Sequence, residues 1–312
     1  MSRSTERSAG YSVQLWVRLR APIWHVGASW AALGGALAGG LLARGNLLHP
    51  EQDGALPRVA ILLLTWLLAD PLLGTLWELG ATPQGIWVQL WRPVHTPEGV
   101  PLILMPYTRP GSSAWWIAEW LGRQLAWWRA DFWPQSGESF ITVCSLLLAA
   151  LTVGAILGST VLVLVCGVIV LAWLTALWQK GKVPRSSLRM TIAGAWAQFG
   201  IPWMIGCAAA GSGQTHWLAV ALGACLTISY VGLLRCPASQ LIVLAGQLGV
   251  LILVIGVRHL LATTVIAVLL AAQLGLLLAK GPSTDSTEAP YAEIHPFIVS
   301  VIVIAAFGVG FS

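Results

Sequence analysis

The stretch Ser139–Trp178, SFITVCSLLLAALTVGAILGSTVLVLVCGVIVLAWLTALW, decides the fold: it carries no charged residue, and only Gly158 interrupts it. A helix that crosses a bilayer needs about 20 mostly apolar residues, because a rise of about 1.5 Å per residue then covers a hydrocarbon core of about 30 Å. The stretch reads as two spans, Ser139–Leu157 and Thr160–Trp178, folded against each other at Gly158. Working outward, the same reading gives Ile23–Ala43 and Arg58–Leu79 on one side. On the other it gives Met190–Gly211, Thr215–Leu234, Ser239–Val257, Leu260–Leu278 and Pro296–Phe311, with Arg258 as a second joint that leaves almost no loop. The expectation is about nine spans, and such short joints force antiparallel neighbours.

Composition agrees. Of 312 residues, 57% are hydrophobic and 9% charged, whereas a soluble domain carries roughly 25% charged residues. A water-facing surface cannot be built from that supply. The 33 Gly and 17 Pro suit membrane helices, where both are commoner than in soluble ones. The chain therefore reads as an all-α integral membrane protein, a single polytopic domain over residues 1–312.

Net charge is +5, which in a soluble protein would hint at nucleic acid. Here Lys and Arg lie mainly between the apolar runs, so they read as topology signals and anionic-lipid contacts, and no nucleic-acid partner is expected. Placing the N-terminus in the cytoplasm puts Arg3, Arg7, Arg18, Arg20, Arg92, Arg109, Arg123, Arg129, Lys180, Lys182, Arg185, Arg189, Arg235 and Lys280 inside. Only Arg44, Arg58 and Arg258 remain outside. That asymmetry predicts a protein of the cytoplasmic (inner) membrane with residues 1–20 as a cytoplasmic segment and no cleaved signal peptide. The five cysteines stand singly in apolar segments, a pattern that suggests neither a disulfide framework nor a zinc site.

The long connection Gly80–Glu138, cytoplasmic in this topology, holds nine of the 18 Trp when Trp77 at its entrance is counted. It begins with a Pro-rich run (Pro83, Pro93, Pro97, Pro101, Pro106, Pro110) that disfavours helix. Its second part, Ser113–Trp133, reads as an amphipathic helix: Trp116, Ile117, Trp120, Leu121, Leu125, Trp128 and Phe132 recur at spacings of three and four. Glu119 and Arg123 form a favourable i, i+4 pair. Trp at this density belongs at headgroup level. The helix is expected to lie between the second and third spans, flat on the inner surface, as an anchor or as a lid over a lipid-substrate opening.

An ionisable side chain at membrane depth costs about 2.5–3.5 kcal/mol on insertion scales and is a functional candidate by default. Asp70 and Glu78 are the only acids within an apolar run, eight residues apart toward the inner end of the second span, with Pro71 between them. On a regular helix they share nearly one face. Pro71 removes a backbone hydrogen bond and frees a carbonyl near Asp70. From Ser139 to Thr284 there is no Asp or Glu at all, so any mechanism that needs carboxylates from both halves of the bundle lacks them in one half. His25 lies near the inner end of the first span, and a neutral His at such depth can bind haem or the magnesium of a chlorin. No two of the six histidines stand at i, i+3 or i, i+4, so no metal site is expected on one helix. Gly34, Gly35, Gly39 and Gly40 read as small-residue helix contacts rather than a phosphate loop.

The opening Arg20-Ala21-Pro22-Ile23-Trp24-His25, the small-residue-rich first span Trp30 to Gly40 and the acids ending the second span together resemble the UbiA-type membrane prenyltransferases. The pattern looks most like their chlorophyll synthase branch. The resemblance covers the chain in topology and Arg18 to Glu78 in residue pattern. Members of that family hold an isoprenyl diphosphate through magnesium bound by two Asp-rich motifs, NDxxDxxxD after the second span and DxxxD after the sixth. Divalent ions must neutralise the leaving diphosphate while carboxylates fix the ions. Here both motifs are degenerate. Asp70 matches one acidic position, Ala69 stands at the Asn, Leu73 at the next Asp, and Trp77 at the last, with Glu78 beside it. The second region, Leu233–Gln240, holds no acid.

The resemblance thus implies a prenyltransferase-like pseudoenzyme: an accessory subunit of a membrane complex, photosynthetic in the branch it resembles. It would bind an isoprenoid-tailed lipid, a quinone, a carotenoid or a (bacterio)chlorophyll. Candidate binding residues are His25, Trp30, Asp70, Trp77, Glu78 and Arg235, with no resident metal. The alternative is an active prenyltransferase whose magnesium site is rebuilt from Asp70, Glu78 and Glu98, with Asp70 and Glu78 catalytic. A transporter is the third reading.

Overall fold

The computed structural model describes residues 27–41, 58–77, 111–180, 188–210, 217–235, 240–280 and 295–310, and the regular structure within them is entirely helical. In chain order the helices are α1 (Ala28–Ala38), α2 (Arg58–Leu67), α3 (Ser113–Trp127), α4 (Trp133–Leu157), α5 (Ser159–Lys180), α6 (Leu188–Ala195), α7 (Ile201–Ala210), α8 (Trp217–Leu234), α9 (Gln240–Gly256), α10 (Leu260–Lys280) and α11 (His295–Gly310). Three π-helical turns join or extend them: Leu68–Gly74 after α2, Trp128–Phe132 between α3 and α4, and Trp196–Gly200 between α6 and α7. Five continuous helices, Arg58–Trp77, Phe140–Leu157, Ser159–Trp178, Leu188–Ala210 and Trp217–Leu234, are long and apolar enough to cross a membrane. The other four expected spans correspond, within the described residues, to shorter apolar helices: Ala28–Ala38, Gln240–Gly256, Leu260–Leu276 and His295–Gly310.

Both expected joints are present. Gly158 turns the chain between α4 and α5 at φ +127°, where a Cβ is strongly disfavoured. Arg258 makes the turn between α9 and α10 in the left-handed region at φ +61°, uncommon for a residue with a side chain.

Every π turn goes with a proline. Pro71 lies inside the first, and Pro134 and Pro202 follow the other two by two residues. Proline lacks an N–H and its ring crowds the carbonyl four residues back; widening the turn before it relieves the clash without breaking the helix. The widened turn also inserts roughly one residue, so side chains beyond it are rotated by roughly 100° from the regular register. The shared face expected of Asp70 and Glu78 rested on that regular register; Glu78 itself lies outside the described residues.

The amphipathic helix differs from expectation in one respect. It starts where predicted, capped by Ser112, whose Oγ accepts from the Trp115 N–H at 3.2 Å, and it carries the Glu119–Arg123 ion pair. Its Trp116, Ile117 and Trp120 are 64%, 59% and 59% exposed, while Ala118, Gly122 and Ala126 are buried. It is not a separate element, however. The π turn carries it directly into α4, its widened backbone accommodating the ring of Pro134 without breaking the helix. An aromatic cluster fixes the junction: Phe132 lies 4.5 Å from Trp128 and 5.7 Å from Phe140 between ring centres.

The bundle packs around α1 and the α6–α7 helix. The larger core joins these two to α8, α9, α10 and α11, with Phe199, Trp203, Leu222, Ile266 and Ile302 at its centre. A second core joins α2, α4 and α5 through Leu68, Leu73, Val143, Val161 and Ile205. The closest approach is α1 on α7. A Cβ on Gly35 would lie 2.1 Å from the Trp203 carbonyl oxygen, and one on Gly206 2.1 Å from that of Ala32. Only glycine permits this backbone-to-backbone contact, which is how helices associate where lipid removes the hydrophobic drive between them. The glycines of the first span are thus helix contacts, as expected.

Candidate functional site

Asp70 sits inside the first π turn, about 10 Å by helical rise from Trp77. The start of α1 reaches it: the Ser29 hydroxyl donates to Asp70 Oδ2. Trp66, one turn earlier on α2, donates its Nε1–H to Ser29 Oγ at 3.1 Å. This gives a relay from Trp66 through Ser29 to Asp70. Hydrogen bonds to a charged group are worth about 1.5–3 kcal/mol, enough to offset much of the cost of a carboxylate at this depth. Among the described residues Oδ1 accepts no hydrogen bond; it faces Gly74, where an added Cβ would lie 3.6 Å from it.

A second polar pair lies where α8 packs on the third π turn. Tyr230 is buried, and its hydroxyl donates to Gln198 Oε1 at 3.0 Å. The Tyr230 ring stacks on Phe199 at 5.4 Å, and Phe199 stacks on Trp203 at 6.3 Å. Trp203, fully buried, donates its Nε1–H to the Ala219 carbonyl at 2.8 Å. Four polar side chains thus stand in two hydrogen-bonded pairs, Ser29 on α1 with Asp70 on the α2 helix, and Tyr230 on α8 with Gln198 on the α6–α7 helix. Two of them, Asp70 and Gln198, are carried on π turns, a feature frequent at functional sites.

Sequence expectation and geometry meet at Asp70. Trp30 packs half-buried against the larger core, one residue from Ser29. Trp77 is buried among Ala172, Ala193 and Ala197, where its ring fills the contact between α5 and α6. Arg235 ends α8 half-buried, its N–H donating to the Gly232 carbonyl at 3.2 Å, and among the described residues no ion pair joins it to Asp70. His25 and Glu78 lie outside the described residues, as does Glu98. Ser29, Trp66, Gln198 and Tyr230 were not singled out from the sequence. The available signal was their presence as hydrogen-bonding side chains in otherwise apolar runs.

The magnesium and diphosphate implied by the resemblance do not fit the residues described. Among them no three His, Cys, Asp or Glu side chains gather. Asp70 is one carboxylate with one oxygen already engaged, whereas magnesium in phosphoryl sites is held by carboxylates from the protein together with the phosphates. The cluster offers instead hydroxyl, amide and carboxylate groups suited to hydrogen bonding a neutral polar head. No family model matches the chain, and comparison with curated proteins and with solved structures gives no match.

Proposed function

We propose that the chain is an inner-membrane protein of about nine spans with a cytoplasmic N-terminus, prenyltransferase-like in architecture but non-catalytic. In this reading it holds an isoprenoid-tailed lipid, quinone, carotenoid or (bacterio)chlorophyll as an accessory subunit of a membrane complex. The positive-inside asymmetry supports the orientation. The α3 helix, with its outward Trp116 and Trp120, supports an interfacial position on the same side.

The observation that carries the proposal is the Asp70 cluster. Hydrogen bonds from Trp66 to Ser29 and from Ser29 to Asp70 tie α1 to the α2 helix, and they leave Asp70 Oδ1 without a hydrogen bond among the described residues. The hydroxyl of a quinone's reduced quinol form, or of a hydroxylated pigment, would donate to Oδ1, while its tail runs along the apolar helices. The absence of any acid from Ser139 to Thr284 weighs against capture of a diphosphate through magnesium, since that half of the bundle has no carboxylate to give.

The test is an organic extract of the purified full-length protein, examined by absorbance and mass spectrometry. The proposal predicts an isoprenoid or chlorin near one per chain, reduced at least tenfold in Asp70→Leu. An extract free of any such molecule would reject it.

A further inference from the structure

Away from the Asp70 cluster, on the outer surface of the bundle, a groove of about 570 Å³ runs between α5 and the α6–α7 helix. Gly167, Val170, Leu171 and Leu174 form one wall and Ile192, Ala193 and Trp196 the other, with Trp178 and Arg189 at one end. Its volume is that of a small-molecule site. Its chemistry is almost wholly apolar except at the Arg189 end. Gly167 faces open space: an added Cβ there would meet nothing within 4 Å.

Length and charge identify the occupant. From Gly167 to Trp178 the rise is about 16 Å, close to the roughly 15 Å that half of the hydrocarbon core occupies. The groove is therefore one leaflet deep. Arg189 is exposed, and among the described residues no carboxylate pairs with it. The connection between the two helices adds Lys180, Lys182 and Arg185 in sequence, without a single acid nearby. An apolar slot one leaflet long, ending in an exposed arginine and a tryptophan, matches a phospholipid whose acyl chain fills the slot and whose anionic headgroup meets Arg189.

We propose that this groove is a specific site for an anionic phospholipid of the inner leaflet. The inference depends on the chain lying in a membrane but not on the Asp70 ligand, so the two fail separately.

The experiment uses full-length protein in mild detergent, titrated with phosphatidylglycerol or phosphatidylcholine and followed by native mass spectrometry and thermal unfolding. Wild type should bind phosphatidylglycerol more tightly and gain more thermal stability from it. Arg189→Gln should reduce that preference roughly fivefold, as expected for one basic side chain at a headgroup, and Arg189→Lys should largely restore it. Arg123→Gln, which removes a paired cation elsewhere, should leave it unchanged. Gly167→Leu, which has room on the protein side, should weaken both lipids. Equal binding of the two lipids by wild type, an equal loss in Arg123→Gln, or unaltered binding in Gly167→Leu would each overturn the assignment. So would an isoprenoid that Gly167→Leu, rather than Asp70→Leu, displaces.

Discussion

Across Leu188–Ala210 and Trp217–Leu234, 61% and 44% of the most apolar stretch is buried inside the protein; across Arg58–Trp77, Phe140–Leu157 and Ser159–Trp178 the shares are 28%, 17% and 33%. The two groups overlap in mean hydropathy, 1.2 and 2.0 against 1.9, 2.5 and 2.7, yet they solve different problems. The first packs protein against protein, and its contacts are made by Gly34, Gly35, Gly206 and Gly223 closing on Trp203 and the neighbouring backbone. The second presents Leu148, Val163 and Val170 outward, at 68%, 69% and 53% exposure, as a surface for lipid. Hydropathy separates them only in part, Trp217–Leu234 and Arg58–Trp77 being nearly equal at 2.0 and 1.9, because lipid tails are as apolar as leucine. Small residues can, since only they let backbones touch. The groove follows the division, opening between Ser159–Trp178 of the second group and Leu188–Ala210 of the first, while Asp70 ties Arg58–Trp77 of the second group to α1.

Substitutions can break or sharpen this contrast, each read by thermal or denaturant unfolding in detergent. The largest expected effect is Trp203→Ala, which empties a fully enclosed site and orphans the Ala219 carbonyl; a loss of about 3–5 kcal/mol is expected. Its counterpart Val163→Ala, on the lipid face, should change stability by no more than about 0.5 kcal/mol. Next is Gly35→Leu, which must push α1 off α7 and should cost about 3 kcal/mol or more, while Gly167→Leu, with open space beside it, should stay within about 0.5 kcal/mol. Equal losses from these paired glycines would erase the distinction. The smallest effect concerns the joint between α9 and α10. Arg258→Gly should stabilise by about 1 kcal/mol, because glycine adopts the left-handed turn without the Cβ penalty; a destabilisation of that size would show that the Arg258 side chain does something the turn alone does not require.

The features legible in the sequence were those set by covalent chemistry and simple periodicity. Gly158 and Arg258 mark the two tight joints because nothing else breaks the apolar runs there. Gly35 and Gly39 announce helix contact, and Asp70 is conspicuous as a carboxylate in an apolar span. Other features depended on three-dimensional closure. Pro71 predicted a disturbed hydrogen bond but not that the helix would respond with a π turn and shift the register beyond it. The continuity of α3 with α4 was hidden because Trp133–Pro134 reads equally well as a stop or as the first turn of a new helix. Ser29, Gln198 and Tyr230 carry no charge, so the pairing of Ser29 with Asp70 and of Tyr230 with Gln198 needed the spatial neighbours that sequence separation conceals. The groove was invisible because concavity is a property of two helices, not of either one.

The central claim is that Asp70 serves as a hydrogen-bonding anchor and not as one arm of a magnesium–diphosphate centre. Its most direct test is release of inorganic diphosphate from an isoprenyl diphosphate by the purified protein with a polar acceptor present, with and without magnesium. The account predicts no release above the protein-free background. Release that requires magnesium and disappears in Asp70→Ala would contradict it.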